Sequence, residues 1–247
     1  MLNRLILLPF LFLSSLSQAD TFTVGVEEIE YAPFYYVKDG QYAGFARELF
    51  DEFAHKYNHT VIYRPLPIER LYNELFSGKI TFKFPDHNFW VQDKKQGKEI
   101  YYSEPVVGFT DGILVLEENK NMGLTTPPDI GYLRGFNPWT LMGLIKENKV
   151  KSRVVNSLDS LIKLTLQKRI DGTYFNLDVA KYRMRNKFPK SAPLVLSKNL
   201  PFDRTNYLVS SLKNSKLLKE LNEFLASDDA HAIREKHSLM LFSKPKP

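Results

Sequence analysis

The sequence predicts an α/β fold of two lobes, each a mostly parallel sheet flanked by helices, with two hinge crossings between the lobes. Three observations predict it. Strand-like and helix-like segments alternate from residue 21, and the alternation pauses at residues 100–128 and restarts at Asp129. A second extended segment precedes two C-terminal helices. Alternation of this kind is typical of parallel sheets covered by helices. The crossings lie near residues 108–117 and 194–211.

The segments of the first lobe follow one another as β-α-β-α-β. Residues 21–26 and 60–63 read as strands, and residues 80–84 form a third strand before a break at Pro85-Asp86. Apolar residues at helical spacing predict two helices between these strands, the second ending at Ser77-Gly78. Their apolar faces contain Phe45, Leu49, Phe50, Phe53, Ile68, Leu71, Tyr72 and Leu75.

The second lobe repeats the alternation. Strands are predicted at 130–135, 153–155 and 169–176, and helices at 139–147, 158–166 and 179–188. Ser157 is the N-cap residue of the middle helix. Residues 205–211 are again extended, and helices at 216–226 and 230–237 close the chain. Two crossings imply that these last helices complete the first lobe, so we expect lobe one at 20–112 and 205–247, and lobe two at 113–204.

The N-terminus predicts export to the periplasm. Arg4 gives a positive start, residues 5–16 are almost wholly apolar, and Ser17-Gln18-Ala19 supplies the small residues of a signal-peptidase site. The apolar run is shorter than the roughly 20 residues of a membrane-spanning helix. We therefore interpret residues 1–19 as a cleaved signal peptide.

Composition excludes several classes of function. The chain has no cysteine, which excludes disulfides, thiolate metal sites and cysteine nucleophiles. The net charge of +6 is spread over lysines interleaved with acidic residues, whereas nucleic-acid binding needs a concentrated basic stripe. No histidine spacing predicts a metal site, and no phosphate-binding or nucleophile-elbow motif occurs. We expect no cofactor and no metal.

A cleft between the lobes is the predicted functional site. Ligands of open α/β sheets bind beyond the carboxyl ends of the parallel strands. Three polar-aromatic segments fall there: "PDHNFW" from Pro85, "GFNPW" from Gly135, and "FNLD" from Phe175. Lys83 stands between two phenylalanines of the third strand, where an unpaired ammonium is costly and needs an anionic partner. That partner is either a structural carboxylate or a ligand carboxylate.

The chain resembles the family 3 extracellular solute-binding proteins, the periplasmic amino-acid-binding components of ABC importers. The resemblance rests on an ordered set of segments over nearly the whole mature chain: "TVGVEEIEYAPFYYVKDGQYAGFARELFDEF" from Thr23, "LFSGKIT" from Leu75, "IYYSEPVVGFTDGILV" from Ile100, and "SLIKLTLQKRIDGTYFNLDVAKY" from Ser160. It implies a two-lobed Venus-flytrap protein that closes over a solute.

Two positions depart from the family's pattern. The family places an arginine for the ligand's α-carboxylate shortly after the third strand, and the matching region here, "PDHNFWVQDKKQGKEI", contains none. The family's aspartate for the α-ammonium corresponds to the neutral Asn176. Lysine cannot reproduce the bidentate geometry of a guanidinium.

The expected ligand-contacting residues come from both lobes. By alignment with the family we favour Glu28 and Tyr31 over Glu27, Glu30 and Tyr35. Asp86 is either a turn cap or a ligand contact, and Arg134 is either a carboxylate anchor or a surface ion-pair residue. The predicted set is Glu28, Tyr31, Lys83, Asp86, Trp90, Arg134, Asn137 and Asn176. Lys83→Met and Asp86→Ala are expected to weaken binding more than they lower stability.

The leading hypothesis is a monomeric solute-binding protein, not an enzyme. It closes over a small polar ligand, amino-acid-like or an amine, and presents it to a membrane permease or a periplasmic sensor. The first alternative is a dehydratase on the same fold, with Glu28 or Asp86 as general acid after burial has raised its pKa. The second is an interaction domain without a ligand.

Overall fold

The computed structural model describes residues 19–242. The predicted signal peptide therefore lies, apart from Ala19, outside the described residues. None of the helices in the described range is long and apolar enough to cross a membrane.

Twelve strands and eight helices occur in residues 19–242, together with a 3-10 turn at Glu117–Asn119. The strands are β1 Thr21–Glu27, β2 Tyr36–Lys38, β3 Gln41–Ala43, β4 Thr60–Leu66, β5 Phe82–Asp86, β6 Tyr101–Tyr102, β7 Val107–Val115, β8 Asp129–Leu133, β9 Lys151–Val155, β10 Gly172–Asn176, β11 Val195–Leu196 and β12 Phe202–Ser211. The helices are α1 Phe45–Lys56, α2 Ile68–Phe76, α3 Gln92–Lys95, α4 Trp139–Lys146, α5 Leu158–Leu166, α6 Leu177–Lys187, α7 Lys216–Leu225 and α8 Asp228–Lys236.

The main sheet has the strand order β4-β1-β5-β12-β7-β10-β8-β9. Strands β4, β1 and β5 are parallel, as are β10, β8 and β9. The two long strands between these groups, β7 and β12, pair antiparallel from Val107–Gly112 to Phe202–Tyr207. The predicted fold class, two parallel α/β units joined by two crossings, is confirmed.

The two crossing strands contain both predicted lobe boundaries. Residues 112 and 113 lie inside β7, and residues 204 and 205 lie inside β12. The two strands pair along this whole stretch, so any rotation of the lobes must be absorbed within them or at their ends. The position of the hinge within β7 and β12 stays a prediction.

The C-terminal helices pack on lobe one. The predicted apolar face of α1 is buried, and the Phe53 ring lies 5.7 Å from that of Phe224 in α7. The Lys56 ammonium lies 2.5 Å from Asp229 of α8. Residues near the end of the chain thus pack against α1, and the bounds of the two lobes stay a prediction.

The predicted strand break at Pro85-Asp86 is wrong. Strand β5 continues to Asp86, and all five of its residues are buried. Proline has no N–H to donate, and the pairing with β12 shifts its register between Lys83 and Asp86, where Pro85 lies. This irregularity accommodates the proline without ending the strand, and it carries Asp86 into the interior.

Candidate ligand-binding site

A cavity of about 50 Å³ lies where the two lobes meet. Lobe one lines it with the ends of β1 and β5, the segment between β1 and β2, the helix α2 and the segment after β5. Lobe two contributes the loop after β8 and a residue of β10, and the crossing strands each contribute one residue. The lining residues are Glu27, Tyr31, Tyr35, Ile68, Tyr72, Lys83, Pro85, Trp90, Val91, Asp111, Gly135, Phe136, Asn137, Tyr174 and Tyr207.

Strand register places a carboxylate and an ammonium on one face of the sheet in lobe one. Gly25 of β1 pairs with Lys83 of β5, and partners in register point to the same side. Glu27 follows Gly25 by two residues, so it shares this face. The missing side chain at Gly25 is compensated by Ile80 and Leu71, whose atoms occupy the space that a Cβ would enter.

Lys83 is a buried cation that faces the cavity. Its side chain is 0 % exposed, and its ammonium donates a hydrogen bond to the backbone carbonyl of Pro85 at 2.5 Å. The same ammonium lies 4.5 Å from the centre of the Tyr72 ring. A carbonyl and a ring face satisfy an ammonium only in part, because it has three N–H donors and a full charge. Lys83 therefore suits an anionic group inside the cavity.

Glu27 is the carboxylate of lobe one at the cavity. Its Oε2 accepts a 2.6 Å hydrogen bond from the Tyr35 hydroxyl, and the residue is buried. Burial raises the pKa of Glu27 above its ordinary value, and the positive charge of Lys83 together with the Tyr35 hydrogen bond opposes this only in part. A cation in the cavity would stabilise the ionised form of this group.

Asp111 presents a second carboxylate from the crossing strand β7. Its Oδ1 accepts a 3.0 Å hydrogen bond from the amide of Asn176. Burial raises the pKa of the Asp111 carboxyl to about 8. The hydrogen bond from Asn176 opposes this, and the negative charges of Asp203, Glu27 and Asp178 add to it. This raised pKa favours the protonated form of Asp111 near neutral pH, and a cation beside it favours the ionised form.

Aromatic rings form most of the remaining wall. Tyr31 stacks on Tyr35 with 5.1 Å between ring centres, and its hydroxyl lies 3.2 Å from that of Tyr207. The Tyr31 ring also lies 5.8 Å from Phe136 and 5.4 Å from Phe175 of lobe two. Tyr31 thus contacts a crossing strand and both lobes at the cavity.

Four of the predicted site residues line the cavity: Tyr31, Lys83, Trp90 and Asn137. Trp90 packs against Tyr207, with 5.8 Å between ring centres. Asn137 follows Phe136 in the loop after β8. Whether these four contact a ligand stays a prediction.

The other four predicted residues do not line this cavity. Glu28 faces a neighbouring groove of about 260 Å³ between the lobes, which also contains Glu30 and Arg183. Arg134 is exposed, and its Nε donates to the side chain of Asn156 at 2.9 Å. Asn176 accepts hydrogen bonds from the backbone N–H groups of Asp178 and Val179, and so caps α6. Its amide reaches the cavity indirectly, through Asp111.

Asp86 lies behind the cavity wall. Its Oδ1 accepts hydrogen bonds from the Tyr72 hydroxyl at 2.8 Å, the Lys95 ammonium at 2.8 Å and the backbone N–H of His87 at 2.7 Å. Burial raises the pKa of Asp86, but the positive charges of Lys83 and Lys95 outweigh this and leave it below its ordinary value. The structure thus gives Asp86 an ion pair with Lys95, a role that was not among the predicted alternatives of a turn cap or a ligand contact.

Two carboxylates of the site, Glu27 and Asp111, were not predicted. The alignment favoured Glu28, whereas the strand register selects Glu27. Asp111 is a lone charge within "VVGFTDGILV", an otherwise apolar or neutral segment. A charged residue within an apolar run was the reason for selecting Lys83, and the sequence shows the same pattern around Asp111.

Metal ligands are not grouped in the described chain: among residues 19–242, no group of three or more His, Cys, Asp or Glu side chains is placed to hold a metal ion. Glu27, Lys83 and Asp111 instead suit a small organic ligand with groups of both charges.

Comparison with known proteins gives one family match. A family model described as bacterial extracellular solute-binding proteins, family 3, matches residues 22–236. A search of curated protein sequences gives no match.

Several solved structures are similar in fold. A mutant of ArgBP from T. maritima is 17% identical with a TM-score of 0.69, over 88% of this chain and 95% of that chain. An ABC uptake transporter substrate-binding protein from Streptococcus pneumoniae with bound histidine is 20% identical with a TM-score of 0.68, over 87% of this chain and 91% of that one. An ancestral amino-acid-binding protein, a precursor of cyclohexadienyl dehydratase, is 20% identical with a TM-score of 0.66, over 87% and 94%. At these identities the likeness shows the fold.

Proposed function

Because the chain belongs to the bacterial extracellular solute-binding proteins of family 3, we propose that it is a periplasmic receptor for a small amino-acid-like or amine ligand. The ligand is held between the lobes at the cavity described above, and the closed, monomeric protein presents it to a membrane transporter or sensor. Similar structures whose names give arginine, histidine or amino acids as ligands support this ligand class.

The observation that carries the proposal is the buried Lys83 ammonium at the cavity. Its hydrogen bond within the described chain goes to a carbonyl rather than to a carboxylate. The charges of Glu27 and Asp86 act on this ammonium through space, and a ligand carboxylate supplies a direct acceptor for its remaining N–H donors. Glu27 and Asp111 supply acceptors for a ligand ammonium. Groups of both charges around one cavity favour a zwitterion or an amine over a sugar or an apolar molecule.

The cavity residues come from both lobes, so a ligand that contacts them favours closure of the lobes. Glu27 and Lys83 belong to lobe one, Asn137 and Tyr174 to lobe two, and Asp111 to a crossing strand. A cavity of about 50 Å³ is far below the roughly 300 Å³ or more of ligand pockets, so entry requires the lobes to separate. The ligand then stabilises the closed state by its differential affinity for it.

A thermal-shift screen tests the proposed function. The panel contains the twenty amino acids, ornithine, putrescine, spermidine and γ-aminobutyrate. A ligand at a hundredfold excess over its Kd raises the free energy of unfolding by about 2.7 kcal/mol, which a melting curve detects readily. A hit is then followed by calorimetric titration of the wild type and of Lys83→Met. If no member of this panel or of a wider metabolite panel raises the melting temperature, the proposal is wrong, and the chain is better regarded as an interaction domain without a ligand.

One observation favours an enzyme as second candidate. Asp111 is a cavity carboxyl whose pKa of about 8 keeps it protonated at neutral pH, which is the state that a general acid needs. One similar structure is a binding protein described as the precursor of a cyclohexadienyl dehydratase. Incubation with prephenate or arogenate, followed by product analysis, distinguishes an enzyme from a receptor. Turnover that is lost in Asp111→Asn favours the enzyme. Saturable binding without product favours the receptor.

A further inference from the structure

Asp111 stands at an unusual point of the fold for a charged residue. It belongs to β7, all nine of whose residues are buried, and it lines the cavity. Its partner in register on β12 is Asp203, so two acidic side chains lie side by side on the same face of the crossing strands. Like charges directly opposite each other destabilise a sheet. One proton between them, or a cation nearby, removes this cost.

The groups around Asp111 provide hydrogen bonds and negative charge. From β10, Asn176 donates its amide to Oδ1, and Tyr174 lines the same cavity. From the neighbouring crossing strand β12, Asp203 is in register with Asp111, and the Tyr207 hydroxyl lies 3.3 Å from the Asn176 amide nitrogen.

The charged residues that act on Asp111 from other elements of the fold are also negative. Glu27 at the end of β1 and Asp178 in α6 both act on the Asp111 carboxyl, together with Asp203, and all three are negative. The nearest basic residue along β12, Arg204, follows Asp203 directly and therefore lies on the opposite face. Its guanidinium stacks over the Phe242 ring at 5.1 Å.

We propose that Asp111 binds the ammonium group of the ligand and releases its own proton as it does so. The neutral carboxyl becomes a carboxylate, the proton leaves to solvent, and the N–H donors of the ammonium take the place of the lost O–H. Asn176 is a positioning residue in this exchange, since its amide holds Oδ1 in either state. The inference rests on the proposed function and adds to it that capture of the ligand is coupled to a proton.

The coupling has a defined direction. Below pH 8, ligand binding must displace a proton from Asp111, so the affinity for an ammonium ligand rises with pH. The expected increase approaches about tenfold per pH unit for release of one proton. Lys83, which lines the same cavity, receives the carboxylate of a zwitterionic ligand and does not take part in the exchange.

A titration of the ligand-free protein tests the carboxyl directly. The ¹³C signal of the Asp111 side-chain carboxyl, identified by its loss in Asp111→Asn, is followed against pH by NMR. We expect a midpoint near pH 8, because burial and the neighbouring negative charges raise the pKa of this carboxyl to about 8. In Asp203→Asn the midpoint should fall, because a like charge has been removed. A midpoint in the ordinary range of aspartate, near pH 4, overturns the proposal whatever the protein binds.

The same titration with methylammonium chloride tests the cation. Methylammonium carries the minimal H₃N⁺ group and suits a cavity of about 50 Å³. It should lower the midpoint of Asp111, whereas tetramethylammonium at the same concentration, which has no N–H donor, should leave it unchanged. Equal shifts with both cations would indicate a general salt effect and contradict specific exchange.

Calorimetry separates this inference from the proposed function. L-lysine and whichever panel member raises the melting temperature most are titrated at pH 6 and pH 8, in two buffers of different ionisation enthalpy. The control variant is Glu147→Gln, which removes an exposed carboxylate paired with Lys149. Proton release in wild type and control, with a 10- to 100-fold affinity loss in Asp111→Asn, supports the proposal. If a ligand binds without releasing a proton, and its affinity is unchanged in Asp111→Asn, the proposed role of Asp111 is wrong and the proposed function stands. Absence of any binding overturns the proposed function.

Discussion

Lys83 shares strand β5 with Asp86, Asp111 is the one ionisable residue of β7, and Lys83 and Asp111 both line the same cavity. A chain that buries a charge without a tight internal partner accepts a cost in stability. The cost is removed when a ligand brings the opposite charge. At the scale of single residues, the site is therefore defined by charges that the protein leaves incompletely neutralised.

Lys83→Met is predicted to abolish most of the affinity for a carboxylate-bearing ligand. Loss of a charged hydrogen bond costs about 1.5–3 kcal/mol, or roughly 10- to 100-fold in Kd. Stability without ligand should also fall, but by less than the affinity, because the Lys83 charge acts on the buried carboxyls of Asp86 and Glu27. Calorimetric titration and melting curves measure the two effects. Lys79→Met, at an exposed lysine outside the cavity, is the control. A large loss of stability with unchanged affinity would mark Lys83 as structural.

Asp111→Asn is predicted to change how stability depends on pH. The folded-state pKa of Asp111 is about 8, above the ordinary 3.8, so the folded protein holds this proton more tightly than the unfolded chain. The stability contribution is complete below pH 3.8 and is lost as the pH rises to 8, at up to about 1.4 kcal/mol per pH unit. The variant lacks this slope. Melting temperatures of wild type and variant should converge near pH 4 and separate towards pH 8, with the variant higher. Parallel curves would contradict the raised pKa.

At the scale of elements, the segment after β5 is held by one buried ion pair. Asp86 at the end of β5 accepts hydrogen bonds from Lys95 of α3 and from Tyr72 of α2. The Lys95 ammonium also donates to the backbone carbonyl of His87 at 2.7 Å. These contacts fix residues 87–95, which carry Trp90 to the cavity. Asp86 thus affects the cavity indirectly, because it fixes the segment that positions Trp90.

Lys95→Met is predicted to destabilise the protein. Removing one partner of a buried ion pair leaves an uncompensated charge and typically costs about 3–5 kcal/mol. Lys83 still acts on Asp86 through space, so the lower end of this range is expected. Urea denaturation measures the change, with Lys94→Met at the exposed neighbouring position as the control. Asp86→Ala should act in the same way, mainly on stability. Equal stability of the two lysine variants would show that the pair contributes little.

At the scale of the whole molecule, the lobes also meet outside the cavity. Arg183 of α6 donates to the carboxylate of Glu30 at 2.7 Å and to its backbone carbonyl at 2.9 Å. The Arg183 hydrogen bond is the main cause that lowers the pKa of Glu30. Lys187 and Asp159 extend this contact on the side of lobe two. A contact between lobes favours the closed arrangement over an open one.

Glu30→Gln is predicted to shift the population towards the open state. The amide keeps the shape of the side chain and weakens the charged hydrogen bond to Arg183. Glu30 is largely exposed, so the effect should be modest, a several-fold loss of ligand affinity together with a larger radius of gyration in X-ray scattering. High salt should reproduce the effect in the wild type, because it screens exposed charges. Glu69→Gln, at an exposed position of α2, is the control. Scattering curves identical for both variants and the wild type would contradict a role in closure.

The sequence by itself determined most of the elements and their order, although it did not predict β2, β3 and α3 and ended β5 too early. The apolar face of α1, the Ser157 cap of α5 and the alternation of strands and helices are local patterns, and the structure follows them. The two crossings and the return of the C-terminal helices to lobe one were also predictable, because parallel α/β units restrict their own connections.

Only the tertiary structure decided which charges share the cavity. Glu27 rather than Glu28 faces it because β1 and β5 pair in one particular register, and Asp86 turns inward because β5 continues past Pro85. Arg134 donates a hydrogen bond to the side chain of Asn156. Asn176 of β10 donates a hydrogen bond to Asp111 of the adjacent strand β7. Periodicity along a chain indicates which face of an element is buried. The partner of a polar group depends on residues distant in sequence, whose relative positions are set by the packing of the whole sheet.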